Sequence, residues 1–137
     1  MTMVTPGEGK VEWMKRMLYA NAGSENLTLK LFKNNVTPAV TDTASTYTEA
    51  TFTGYSAVTV TSSQSGSTWT VPSNSVGTVT SSYQTNATFS SSSSQSVYGY
   101  FVVGASSGKC YCSEAFSGGV LNLTNGSTVT ITPQFTM

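Results

Sequence analysis

Two thiols and a few carboxylates are the side chains of this sequence best suited to chemistry. Cys110 and Cys112 flank Tyr111, and on a strand the two-residue alternation would turn both thiols to the same side. Adjacent same-face positions on one strand are poorly placed for the Cα separation and dihedral of a relaxed disulfide. Two thiolates without further ligands do not complete a zinc site either. Free thiols are expected, with an intermolecular cross-link or a metal bound through outside ligands as the alternatives. The chain contains no histidine, which removes the Ser-His-Asp and Cys-His machineries and every imidazole ligand. Glycoside hydrolysis would need two carboxylates across a cleft, and the candidates in the β body are Glu49 and Glu114. Glu8 and Glu12 lie four apart near a helix start, where negative charge suits the positive end of the dipole, and Glu12 precedes Arg16 by four, a helix-supporting pair. Gly7, Gly9 and Gly118-Gly119 resemble no phosphate loop, because no Lys-Ser/Thr follows them. No catalytic residue, cofactor or metal is expected.

The elements that would carry these groups are mostly strands. Ser96 to Ala105 concentrates β-branched and aromatic residues with Gly99 and Gly104 interrupting and closing the run, the pattern of a central strand covered on both faces. Leu27, Leu29 and Leu31 alternate with Thr28, Lys30 and Phe32, a strand with one buried face. Residues 48–61 alternate and slip phase at Gly54-Tyr55, where a bulge or sharp bend is expected. Short strands are expected at 68–71, 76–80, 85–89 and 109–116, a turn at Pro72 to Ser75, and a flexible serine loop at Ser90 to Ser94. Asn125-Gly126 between Leu121/Leu123 and Val129/Ile131 predicts a tight hairpin. One helix is predicted, from Lys10 to Ala20, stopped by Asn21-Ala-Gly23. Val11, Met14 and Leu18 fall at i, i+3 and i+7 with Trp13 and Met17 flanking them. Such a stripe needs an apolar partner, either the domain's own sheet or a neighbouring subunit.

The expected architecture is all-β, an antiparallel β-sandwich or barrel with one N-terminal α-helix. Residues 1–23 form an arm and amphipathic helix, the first nine being ordered only against something else. Residues 24–137 form a single β domain, since 137 residues leave no room for a second. Six basic and six acidic side chains cancel and only 9% of the chain is charged, so there is no electrostatic footprint for nucleic acid or an anionic membrane. All but Lys109 and Glu114 of these charges lie in the first 49 residues. A Ser/Thr-rich, nearly uncharged body suits a surface exposed outside a cell or packed in an assembly. The first ten residues lack a basic-then-apolar pattern, so no secretory leader is expected, and no apolar run approaches a spanning length.

Several blocks taken together resemble a family of small virion proteins of tailed bacteriophages. They are the helical lead, Leu27-Thr-Leu-Lys-Leu-Phe32, Tyr47-Thr-Glu-Ala-Thr-Phe-Thr-Gly-Tyr55, Val97-Tyr-Gly-Tyr-Phe-Val-Val103, Glu114-Ala-Phe116 and Asn125-Gly-Ser-Thr-Val-Thr-Ile-Thr-Pro-Gln-Phe135. The serine-rich middle, Ser62 to Ser96, and the Cys-Tyr-Cys depart from that pattern. The resemblance implies a virion location on the capsid surface and a decoration or cement role. It implies the major capsid protein as partner and a homo-oligomer, most naturally a trimer. Val11, Trp13, Met14, Met17 and Leu18 would then be the capsid or subunit interface. The alternative is a tail or fibre component acting as an adhesin-like carbohydrate-binding module through exposed aromatics such as Trp69, Tyr83, Tyr98 and Tyr100.

Overall fold

A computed structural model of the chain describes residues 3–18, 24–61, 69–70 and 72–136. It is an antiparallel β-sandwich with one N-terminal helix. The frame is a four-stranded sheet made of β1 (Leu27–Phe32), β2 (Val58–Val60), β7 (Gly99–Gly104) and β8 (Cys110–Ala115), ordered β2-β1-β7-β8. Three smaller sheets complete the β structure: β3 (Ser73–Ser75) and β4 (Thr78–Ser82) with β11 (Gln134–Thr136), β5 (Ala87–Ser90) with β10 (Thr128–Ile131), and β6 (Gln95–Val97) with β9 (Leu121–Leu123).

Every residue of β7 is buried, as its continuous apolar run requires of an inner strand with both faces covered. One face of the main sheet, carrying Leu27, Leu29, Leu31, Tyr100, Val102 and Cys112, packs against the smaller sheets through residues such as Phe89, Val129, Ile131 and Phe135. The opposite face, with Phe32, Phe101, Val103 and Cys110, is closed by the loop between β1 and β2. There Tyr47 stacks on Phe101 with ring centroids 5.1 Å apart and lies 5.0 Å from Phe32.

The predicted central run, Ser96 to Ala105, is divided between two sheets. β6 pairs with β9, and after Tyr98 the chain enters the main sheet as β7. Gly99 sits at that transfer because a Cβ there would collide with the Glu114 carbonyl and lie 2.6 Å from the Phe32 ring. The predicted strand 48–61 shrinks to β2, with residues 49–57 an irregular crossing anchored by buried Ala50 and Phe52 and turned at Gly54, whose φ is 91°.

Asn125-Gly126 does make a tight turn, with Gly126 at φ 87°. The strands it joins pair elsewhere: β9 with β6 and β10 with β5. The turn gives its hydrogen bonds to the serine run instead, Gly126 N–H to the Ser91 carbonyl and Ser91 N–H to the Ser127 carbonyl. Ser91 is buried, so the run expected to be flexible is a fixed corner. The turn expected at 72–75 is itself β3, and the reversal falls at Val76-Gly77, both with positive φ.

The helix α1 (Gly7–Leu18) begins three residues earlier than predicted, directly after the buried Pro6. Its predicted stop at residues 21–23 lies outside the described residues. Residues 3–6 are ordered against the chain's own sheet, since Val4 exchanges backbone hydrogen bonds with Ser113 of β8 at 2.8 and 2.9 Å. Arm and helix together cover the outer edge of β8, which would otherwise offer unpaired amides to another chain.

Candidate functional site

The predicted interface residues all belong to α1, and the structure separates them. Val11, Met14 and Leu18 are 51%, 60% and 74% exposed and fall within about 60° of one another at 100° per residue. Trp13 points the other way. Its ring meets Tyr111 edge-on at 5.2 Å and Phe135 edge-on at 5.6 Å, so it belongs to the domain's own core. The side chain of Met17 lies outside the described residues.

What fixes the inner face of the helix is polar, with Trp13 its main apolar contact. Glu8 Oε1 accepts hydrogen bonds from the backbone amides of Cys110 at 2.8 Å and Ala44 at 2.9 Å, while Oε2 lies 3.5 Å from Lys109 Nζ. Gly9 lets the backbones touch, since a Cβ there would lie 2.5 Å from the Cys110 carbonyl oxygen and 2.8 Å from Tyr111 Cα. One turn on, the buried Glu12 pairs with Lys15 at 2.8 Å and Arg16 at 3.7 Å.

Arg16 makes shorter contacts still, through Nη2 to Glu25 Oε1 at 2.6 Å and through Nε to the Tyr111 hydroxyl at 2.7 Å. Glu25, just before β1, also accepts from the amides of Ser106 and Ser107, the Ser107 hydroxyl and the Tyr111 hydroxyl. Burial alone would raise this carboxyl, but the donors from Tyr111, Ser107 and Ser106 outweigh it and hold it at about 2. Burial, with the carboxylate as hydrogen-bond partner, pushes the Tyr111 hydroxyl up to about 12.

The expected one-sided Cys110 and Cys112 are on opposite faces. A register shift between Val102 and Val103 leaves Tyr111 as the extra residue of a β-bulge, so Tyr111 and Cys112 enter the larger core cluster and Cys110 the smaller. Both thiols are free and buried. Desolvation, with Glu8 and Asp42 nearby, raises the Cys110 thiol to about 12, and burial raises Cys112 as well.

Glu49 and Glu114 do not form a pair across a cleft. Glu49 is held by Lys30 at 2.8 Å and by the Tyr55 hydroxyl at 3.0 Å. Glu114 accepts from the Tyr100 hydroxyl at 2.6 Å and borders an open space of about 470 Å³ that Glu49 does not reach. Of the aromatics considered for ligand stacking, Tyr83 and Tyr100 are buried and Trp69 and Tyr98 partly so. Trp69, with Trp13, Leu27 and Phe135, lines an apolar groove of about 220 Å³. Among the described residues no group of three or more His, Cys, Asp and Glu is placed to hold a metal, and no helix is long and apolar enough to cross a membrane.

Compared with protein-family models, curated proteins and solved structures, the chain has no significant match in any of the three. Of the polar inner face of α1 the sequence announced the Glu12–Arg16 pair, present at 3.7 Å, whereas the long-range contacts of Glu8 and Glu25 and the position of Glu114 had no local motif. Cys110 lies 102 residues from Glu8 and Ser106 lies 81 from Glu25, and only the fold brings these together.

Proposed function

We propose that this chain is a non-enzymatic structural protein of a bacteriophage particle, a decoration or cement protein that seats on the major capsid shell through the outer face of α1. The observation that carries this reading is that Val11, Met14 and Leu18 stand exposed on a helix already fixed from its other side. A rigidly held apolar stripe loses little conformational freedom on docking. Its burial returns roughly 25 cal/mol per Å² of apolar area. A homo-oligomer, with a trimer favoured, would multiply this weak contact through effective concentration. The charge-poor Ser/Thr surface of the β body would face the medium, and the absence of histidine from the whole sequence suits a role without turnover.

The test is co-sedimentation of the purified protein with empty phage shells. Replacing Val11, Met14 and Leu18 together by serine is expected to leave the fold intact and abolish shell binding. Undiminished binding by the triple variant would refute the assigned face, and a wild-type protein that ignores shells while turning over a substrate would refute the role. A second reading, a tail or fibre adhesin, draws its support from the cleft at Glu114.

A further inference from the structure

We infer that the cleft between the end of β8 and the β10–β11 connection is a binding site for a short neutral saccharide, recognised through the carboxylate of Glu114. It is independent of α1 and holds whether or not the helix seats on a shell.

The first observation is how Glu114 differs from the other five acidic residues. Glu8, Glu12, Glu25 and Glu49 each have a cation within 3.7 Å. Asp42 is occupied by the Ala39 amide and the Tyr47 hydroxyl, both at 2.7 Å. Glu114 has neither an amide nor a cation among the described residues. Its one partner is the hydroxyl of the buried Tyr100, which donates to Oε2 at 2.6 Å. That bond fixes the carboxylate in direction and leaves Oε1 without a partner. Lys109, the one basic residue of the sequence beyond Lys33, faces Glu8 instead.

The second observation is the lining of the space the carboxylate borders, about 470 Å³ and open to solvent, a size typical of small-ligand clefts. Around Glu114 stand Phe116, Ser117, Thr130 and Thr132. The hydroxyls of Ser117 and Thr130 make no hydrogen bond to any described residue, while that of Thr132 donates to Asn86 Oδ1 and keeps its lone pairs. Phe116 is partly buried against the main core and also lines the cleft.

This set of groups matches a sugar ring. Neighbouring hydroxyls of one ring donate to a carboxylate as charge-assisted hydrogen bonds. The C–H face of the ring suits an aromatic surface, and the free Ser and Thr hydroxyls can either donate or accept. A hard cation could use the carboxylate and the hydroxyl oxygens but would leave the aromatic side chain unused.

The experiment is an amide NMR titration of the intact protein with the methyl glycosides of glucose, galactose, mannose, rhamnose and N-acetylglucosamine, and separately with L-arginine. At least one glycoside is expected to shift the amides of Glu114, Phe116, Ser117 and Thr130 to Thr132 saturably, with a Kd of about 1 mM. Glu114→Gln keeps the shape, loses the charge and is expected to weaken that glycoside about tenfold or more. Tyr100→Phe tests the positioning role: it should weaken the glycoside in the wild-type background and add little in Glu114→Gln, a coupling that a general loss of packing would not produce. No shift from any glycoside at about 50 mM would overturn the proposal. So would binding of arginine in their place, or a glycoside affinity unchanged in Glu114→Gln.

Discussion

Gly9 of the helix and Tyr111 of the edge strand approach so closely that a Cβ on Gly9 would stand 2.8 Å from the Tyr111 Cα. The obstacle is backbone on both sides, with the Cys110 carbonyl oxygen at 2.5 Å, so no rotamer change relieves it. Gly9→Ala is expected to destabilise the protein by about 1–3 kcal/mol and to expose the arm and helix to limited proteolysis. Gly118→Ala, where nothing lies within 4 Å, should change the unfolding free energy by about 0.5 kcal/mol or less. Equal stabilities for the two variants would show that the helix does not rest on Gly9.

Glu25 makes stability depend on pH in a defined window. Its carboxyl lies at about 2 in the folded chain against an ordinary 4.5, a depressed value. Its contribution is therefore complete above about 4.5 and is lost as pH falls toward 2. Denaturation measured between pH 7 and pH 2 should fall off in that lower window for the wild type. The curve for Glu25→Gln should start lower at neutral pH and be flatter there by up to one proton. Parallel curves for the two proteins would contradict the network.

Val76 turns the β3–β4 hairpin with φ 50° and its side chain fully exposed. A β-branched residue pays for left-handed backbone with about 1–2 kcal/mol and here recovers nothing by packing. Val76→Asn creates Asn-Gly at this turn and is expected to raise the thermal midpoint by about 2–5 °C. An unchanged or lower midpoint would mean that Val76 is held by contacts the isolated chain does not make.

Cys110 and Cys112 should be silent toward a thiol reagent at pH 8. Both are fully buried, and the thiolate that reacts is suppressed by desolvation. Labelling by a disulfide reagent is expected only at the rate of global opening and to become immediate in denaturant. Fast labelling of either thiol in native buffer would count against the buried bulge.

How much of this was visible in the sequence depends on the range of the forces involved. The Leu27–Phe32 alternation and the continuous run in β7 were legible because each records directly how many faces of a strand are covered. The sandwich class and the single helix followed from the same local patterns. Long-range hydrogen bonding was not legible. The Asn125-Gly126 turn carries a hairpin signature, yet its Gly126 amide goes to Ser91, and the two strands it joins leave in different sheets. The bulge at Tyr111 likewise reversed the expected placement of Cys110. The helix shows the same limit most plainly. An apolar stripe is ordinarily the inward one, but here Glu8, Gly9 and Arg16 find partners on β8, on the loop before β2 and at Glu25, and with Trp13 they turn the other side of the helix inward.

That reversal gives the two sides of α1 opposite responses to the solvent. The inner side is tied in part through the pair of Glu8 with the half-exposed Lys109, which mobile ions weaken. The outer side, made of Val11, Met14 and Leu18, associates more strongly as excluded salts such as sulfate are added. Ionic conditions therefore tilt this helix between holding on to its own body and holding on to something else.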